Sequence, residues 1–281
     1  EKLIEYDMSY GHYLGTQINN FIDRHKLSPD LIGSHGHTVF HNPEMGYTFQ
    51  LGNGKSIASV TNIVTIADFR IGDIQLGGQG APLVPIGDSH LFSEYDYCMN
   101  IGGIANISFE KDNSRYALDI CPVNQILNYL SKQLGKQYDD EGKIAQLGKM
   151  NTQLFNDLNN HNFYTLPYPK SMSNQLVTQS FIPIIDNSKA SIEDKLYTVC
   201  KHIAYQTKIA IKQTKGKSIL ITGGGAHNNF LTTAIKKETA CKIIIPEKKV
   251  VDYKEAMIFA FLGILVVRGE INCIASATGA S

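Results

Sequence analysis

Apolar positions along the chain alternate between a spacing of three or four and short continuous runs, which predicts helices alternating with buried strands. Tyr10, Tyr13, Leu14, Ile18 and Phe21 recur at helical spacing between Tyr6 and His25; Pro29 then breaks the helix, and Asp30 to Gly33 reads as a short buried strand. Gly46 to Leu51 and Ser56 to Val60 flank Gly52-Asn53-Gly54, a pattern that predicts a hairpin. Ile63, Val64, Thr65 and Ile66 form a β-branched strand. A second sheet opens near Tyr95, as a meander of Tyr95 to Ile101, Ile104 to Glu110 and Tyr116 to Ile120, turning at Gly102-Gly103 and at Lys111-Asp112-Asn113. Helices are predicted over Asn124 to Leu134, Lys143 to Leu158, Ile192 to Lys215, Asn229 to Glu238 and Lys254 to Val267, with strands at Lys217 to Thr222 and Lys242 to Ile245. Thr165 to Pro183, rich in Pro and polar residues, reads as a loop or lid.

Composition narrows the class. With 281 residues, 43% of them hydrophobic and 19% charged, the chain can bury the core of one large or two ordinary domains. Lys plus Arg and Asp plus Glu both number 26, so no bulk positive field favours nucleic acid or an anionic membrane, and a small-molecule partner is expected. The five cysteines (98, 121, 200, 241 and 273) are odd in number and widely spaced, which suggests neither a disulfide framework nor a zinc site and suits the cytoplasm. The most apolar stretch, Ala256 to Val267, is about half of what a bilayer requires.

Five segments carry candidate chemistry. The strand at 63–66 delivers Asp68 to a sheet rim, where a carboxylate can act as a general base. Gly77-Gly78-Gln79-Gly80 follows, with glycines that let backbone approach a ligand and an amide that both donates and accepts. Ser34-His35-Gly36-His37-Thr38 places two imidazoles at a sheet edge, as a polar pocket or a hydrogen-bonded turn; two further metal ligands are not evident. Asn100-Ile101-Gly102-Gly103-Ile104-Ala105-Asn106 can present backbone N–H groups to phosphate, and Asp119 ends the third meander strand as a carboxylate able to act on magnesium through its waters. Thr222-Gly223-Gly224-Gly225-Ala226-His227-Asn228 links a strand to a helix whose N-terminus favours a nucleotide. The third glycine of a Rossmann fingerprint is replaced by Asn228, and no P-loop pattern occurs. Glu255 opens the last predicted helix, where the helix dipole alone would favour it.

Together these pieces describe an α/β, two-lobed actin/hexokinase-like (ribonuclease H-like) kinase fold. GSHGHTVFH at 33–41, ADFR at 67–70, GGQGAPLVP at 77–85, NIGGIANIS at 100–108, TGGGAHNNFL at 222–231 and EAMIFAFLG at 255–263 closely resemble the anhydro-N-acetylmuramic acid kinase family, in order and over nearly the whole chain. The resemblance implies hydrolytic opening of a 1,6-anhydro amino sugar with phosphorylation of O6 by ATP and Mg2+, in cell-wall recycling by a cytoplasmic homodimer. It implies Asp68 as base, and Glu255, His35, His37, Arg70, Gln79 and Gly80 as sugar contacts. Asn100, Gly102, Gly103, Asn106, Gly223, Gly224, Gly225 and Asn228 would bind the nucleotide, with Asp119 toward the metal through water. It implies an N-terminal lobe over 1–93 carrying sugar site and base, and a C-terminal lobe over 94–281 carrying the nucleotide, its last helix able to pack back toward the first lobe.

The chain departs from the family pattern in three places. Family members open with a strand and an SGTSLDG-type phosphate turn, whereas this sequence starts at Glu1 inside a helix that would follow it, so an incomplete first lobe and weak turnover are expected. Asp119-Ile120-Cys121-Pro122-Val123-Asn124 stands where many members have DTGPGN, and Lys170-Ser171-Met172-Ser173-Asn174-Gln175 where many have KSTGRE. A non-catalytic sugar- or nucleotide-binding protein of the same fold, or an inactive fragment of the kinase, is the alternative reading.

Overall fold

The computed structural model describes residues 2–167, 170–212 and 214–280, and is mixed α/β. It divides into two compact units, Glu1–Leu91 with Glu255–Ser281, and Phe92–Lys254.

In the first unit, a helix over Lys2–His25 lies against a second over Gly54–Thr61. Two glycines permit the close approach: a Cβ on Gly11 would sit 2.6 Å from the Asn53 carbonyl oxygen, and one on Gly15 would sit 2.8 Å from the Val60 Cβ. Strand β1 (Leu31–Gly33) pairs in parallel with β4 (Val64–Ile66), while β2 (His37–Asn42) and β3 (Tyr47–Leu51) form an antiparallel hairpin. The hairpin expected around Gly52-Asn53-Gly54 is therefore replaced: β3 pairs backward with β2, and 54–61 is helical. Asn53 is the cause, since its side-chain oxygen accepts the Ser56 N–H at 3.0 Å and caps the helix. The core of this unit is Phe69, Leu83 and Ile86 packed on Ile258, Phe259, Leu262 and Leu265.

The long C-terminal helix is Lys248–Val267, six residues longer at its start than the sequence pattern indicates. From Glu255 onward the chain belongs to the first unit, which differs from a lobe running 94–281 because the apolar stripe of this helix is buried against Phe69, Leu83 and Ile86.

The second unit holds a five-stranded sheet in the order β7-β6-β5-β8-β9, from β5 (Tyr97–Ile101), β6 (Ile104–Lys111), β7 (Ser114–Pro122), β8 (Ser218–Thr222) and β9 (Lys242–Ile244). The meander β5–β7 is antiparallel, and β8 and β9 extend it in parallel, as the pattern predicts. Strand alternation sends Tyr97, Met99 and Ile101 into the larger core and Cys98 into a smaller one with Phe92 and Leu220. The helix Ile192–Ile211 covers the larger core with Leu196, Val199 and Ile203.

Two further expectations are corrected here. Lys143 to Leu158 is not one helix: short 3-10 turns at Asp140–Gly142 and Ala145–Leu147 precede a helix at Thr152–Asn159. Gly148 turns extended where a side chain would collide with the Glu193 backbone, and Asn151 restarts the helix by capping Leu154 at 2.9 Å. The loop expected over Thr165 to Pro183 is helical from Asn174 onward, started by the Ser173 cap on the Leu176 N–H at 3.1 Å; residues 168 and 169 lie outside the described residues.

Candidate active site

Asp68, the residue expected to act as base, lies in the first unit. Strand β4 ends at Ile66, and two residues later Asp68 adopts φ +56, a left-handed conformation that Asp tolerates better than most side chains. The turn before it is fixed from below. Gly54 lies against Ala67, where a Cβ would come within 2.8 Å, and Asp7 on the first helix accepts the Gly52 N–H at 2.7 Å and the Asn53 amide at 3.1 Å. The Asp68 carboxyl has no hydrogen-bond partner among the described residues and is open to solvent. Surrounding protein nonetheless desolvates it and raises its pKa, and the nearby Asp7 charge raises it further. An unpartnered carboxylate with a raised pKa is a better proton acceptor than an ordinary Asp.

Beside it, a polar network fixes the segment that follows. Arg70 donates from Nε to His35 Nε2 at 3.0 Å and from Nη1 to the Gly80 carbonyl at 2.7 Å. Because His35 Nε2 accepts, its proton sits on Nδ1 and is donated to the Gly36 carbonyl at 3.0 Å. Burial, with Arg70 second, lowers the His35 pKa and agrees with a neutral ring. His35 is thus a neutral support for Arg70 rather than an open ligand. His37 is exposed at the start of β2.

The Gly77–Gly80 turn wraps around Asp73, a buried carboxylate that sequence reasoning missed. Asp73 Oδ2 accepts the Gly80 N–H at 2.7 Å, and its Oδ1 accepts the Thr278 hydroxyl at 2.7 Å and the Cys273 thiol at 3.1 Å. Burial, then Asp73 itself, pushes the Cys273 thiol up to about 12, so it stays a donor. A Cβ on Gly78 would overlap the Asp73 carboxyl, which explains that glycine. Both backbone polar groups of Gly80 are engaged within the protein, so its expected role as a direct sugar contact is narrowed to shaping the turn. Gln79 is exposed and its side-chain amide has no partner among the described residues. Its N–H donates to the Thr278 carbonyl at 2.9 Å. Glu255 is exposed and lies two turns into its helix, so the helix-dipole explanation for it falls away; its charge acts on Arg70, raising that pKa against the lowering by burial.

The residues expected to bind the nucleotide gather at one end of the strands of the second unit's sheet. The register sets Thr222, Asn100, Asn106 and Asp119 side by side across β8, β5, β6 and β7. Directly paired residues project from the same face, so four short polar side chains form one row. At the end of that row the Gly102 carbonyl accepts the Asn124 N–H at 3.3 Å, and the Gly103 carbonyl accepts the Val123 and Gln125 N–H groups at 2.8 and 3.2 Å. The two glycine N–H groups donate to no acceptor among the described residues. Gly223 has φ +81, and a Cβ there would lie 2.5 Å from Asn100 Oδ1 and 2.9 Å from the Ile101 carbonyl oxygen. The second glycine turn therefore rests directly on the first.

Asn124 joins the two turns: its amide donates to the Ile101 carbonyl at 3.3 Å and lies 3.8 Å from where a Gly224 Cβ would be. It was legible only as the Asn that survives in the altered Asp119–Asn124 string. Asn228 is buried and caps the following helix, accepting the Leu231 N–H at 2.9 Å, so its carbonyl oxygen is spent on structure. Asp119 accepts the Met172 N–H at 2.7 Å through Oδ2, while Oδ1 has no partner among the described residues. Burial raises its carboxyl to about 6, the state of an anion short of positive charge. No cluster of three or more His, Cys, Asp or Glu exists among the described residues. A lone, undercompensated carboxylate suits a cation held mostly by water and phosphate. Also among those residues, no helix is long and apolar enough to cross a membrane.

The family model for anhydro-N-acetylmuramic acid kinase matches residues 1–281. The chain is 36% identical to an anhydro-N-acetylmuramic acid kinase of Aliivibrio fischeri, over 89% of this chain and 72% of that one. It is 34% identical to the same-named protein of Photobacterium profundum, over 99% of this chain and 80% of that one. Among solved structures it is similar to a ROK family glucokinase from Streptomyces griseus in complex with glucose and AMPPNP, at TM-score 0.44 and 9% identity over 89% and 87% of the two chains; a likeness at that level carries no weight here for fold or function. The family match along the whole chain and the identities to curated relatives agree with each other, and the chain belongs to the anhydro-N-acetylmuramic acid kinase family, a kinase by descent.

Proposed function

We propose that this kinase opens the 1,6-anhydro ring of anhydro-N-acetylmuramic acid with water and transfers the ATP γ-phosphate to the freed O6, giving N-acetylmuramic acid 6-phosphate for peptidoglycan recycling in the cytoplasm, as a homodimer. The observation that carries the reading is Asp68, a carboxylate without a protein partner, held in a left-handed turn at a strand end and raised in pKa. Asp68 takes a proton from the water that attacks C1; the C1–O6 bond breaks, O6 attacks phosphorus, and ADP leaves. Glu255, His37, Arg70 and Gln79 meet the sugar, with His35 and Gly80 holding Arg70 and the turn in place.

On the nucleotide side, the free N–H groups of Gly102 and Gly103 receive phosphate oxygens, while Gly223 to Gly225 and Asn228 support adenosine. Asn100 and Asn106 lie in the same polar row and supply amide contacts. Mg2+ would be held through water by Asp119, and when bound it neutralises charge on the transferring phosphoryl group.

Replacement of Asp68 by Asn keeps the left-handed turn accessible and removes the base. Turnover is expected to fall by about 10² to 10⁴, while calorimetric affinity for the anhydro sugar stays within a few-fold. Retained turnover in that variant would remove Asp68 from the proton transfer. Absence of N-acetylmuramic acid 6-phosphate from the unaltered protein would instead favour a binding protein of the same fold.

A further inference from the structure

Gln79 is the only member of the Gly77–Gly80 turn with a side chain, and it stands exposed on a turn whose other residues are tied down. The ties converge on the C-terminal segment. Thr278, 2% exposed, sits in the short helix Ala275–Thr278 and reaches the turn once directly and once through Asp73. Its hydroxyl donates to Asp73 Oδ1 at 2.7 Å, with the Ile274 carbonyl a longer alternative at 3.3 Å, and its carbonyl accepts the Gln79 N–H at 2.9 Å. Asp73 in turn holds the next N–H, that of Gly80, at 2.7 Å, and its own carbonyl accepts the Gly78 N–H at 2.9 Å. Arg70 takes the Gly80 carbonyl from the other side at 2.7 Å. Three successive N–H groups of the turn are therefore fixed by two residues that lie about two hundred positions apart in the chain.

A buried carboxylate costs free energy unless donors satisfy it. Asp73 is satisfied by an amide, a hydroxyl and a thiol, with no cation on it among the described residues. A carboxylate with no cation holds its donors only while each one is present, so removal of the Thr278 hydroxyl loosens the group that fixes Gly80 and, through it, the turn.

We propose that Thr278 is a positioning residue for sugar recognition, clamping Gln79 through Asp73 and through its own carbonyl so that the Gln79 amide is presented in one orientation to a polar sugar substituent. The proposal rests on the reading of the 77–80 turn as part of the sugar site. A purely structural clamp would lower stability and leave substrate selectivity unmoved. A positioning clamp affects one substrate and not the other.

The test uses the full chain and the variants Thr278→Val, Thr278→Ser and Gln79→Ala, with Thr278→Val/Gln79→Ala as the double. With Thr278→Val, the KM for the anhydro sugar is expected to rise about tenfold while the KM for ATP stays within about twofold; Thr278→Ser, which keeps the hydroxyl, restores the sugar KM. The double variant is expected to match Gln79→Ala alone, because the clamp acts through that side chain. An unchanged sugar KM in folded Thr278→Val, an equal rise for ATP, or additive effects in the double would overturn the proposal. Amide hydrogen exchange gives a readout independent of turnover: the Gln79 and Gly80 N–H groups are expected to exchange at least about tenfold faster in Thr278→Val than in Thr278→Ser, and equal rates would overturn the clamp. If the unaltered protein makes no sugar phosphate, the functional reading fails while the exchange result still decides the clamp.

Discussion

Asp119→Asn isolates the cost of an undercompensated carboxylate. In the native protein burial raises this carboxyl from 3.8 to about 6, and the Met172 N–H at 2.7 Å offsets only part of that. The folded state therefore holds a proton more tightly than the unfolded state. The stability this supplies is fully present below about pH 4 and is lost as pH rises through about 6. A shift of about two units corresponds to at most about 3 kcal/mol above pH 6. Asn mimics the protonated form: its carbonyl oxygen can still accept from Met172, and its amide occupies the side that Oδ1 leaves open. The variant is expected to match the native protein near pH 4 and to exceed it at pH 7.5 without added magnesium. At about 2 to 4 °C per kcal/mol for a unit of this size, the gain is a rise of up to about 6 to 12 °C in the Tm of the second unit by scanning calorimetry. Added magnesium and ATP should narrow the gap, since a cation restores what burial removes. A difference independent of pH, or a variant less stable at pH 7.5 than at pH 4 relative to the native protein, would refute the reasoning.

Asp7→Asn removes the charge that adds to the raised pKa of Asp68, so the acid limb of kcat/KM is expected to move to lower pH; a limb that stays in place would mean Asp7 supports the 52–53 turn alone. Gly223→Ala puts a Cβ against Asn100 and Ile101 at φ +81, and is expected to cost about 1–3 kcal/mol in stability and to weaken ATP binding more than sugar binding, as read by paired thermal and calorimetric titrations.

The second unit was largely legible because its signals are local. The meander, its glycine pair and the strand before Gly223 follow from period-two alternation and turn residues, and the row Thr222–Asn100–Asn106–Asp119 follows once those strands are in register. The first unit was less legible because its decisive contacts are distant. Asp73 reads as one polar residue on a short helix until Thr278 and Cys273 reach it from the far end of the chain. Asn53 reads as a turn residue, and it becomes a helix cap in a setting that Asp7, far from it in sequence, also grips. The same limit explains Gly80 and His35: the motifs single them out, and in the structure their polar atoms meet Arg70, Asp73 and the Gly36 carbonyl. The sequence pattern puts Glu255 in a first turn because Pro246 and the charged run from Glu247 mask the start of a helix that is stabilised by the apolar face beyond it.

The reaction in ¹⁸O-labelled water tests the central claim most directly. The protein is mixed with ATP, magnesium and 1,6-anhydro-N-acetylmuramic acid, and the product is read by mass spectrometry. The account predicts N-acetylmuramic acid 6-phosphate carrying one labelled oxygen, located at C1, since water attacks there and O6 keeps its own oxygen when it takes the phosphoryl group. Phosphorylated product without label at C1, or no product at all, would contradict it.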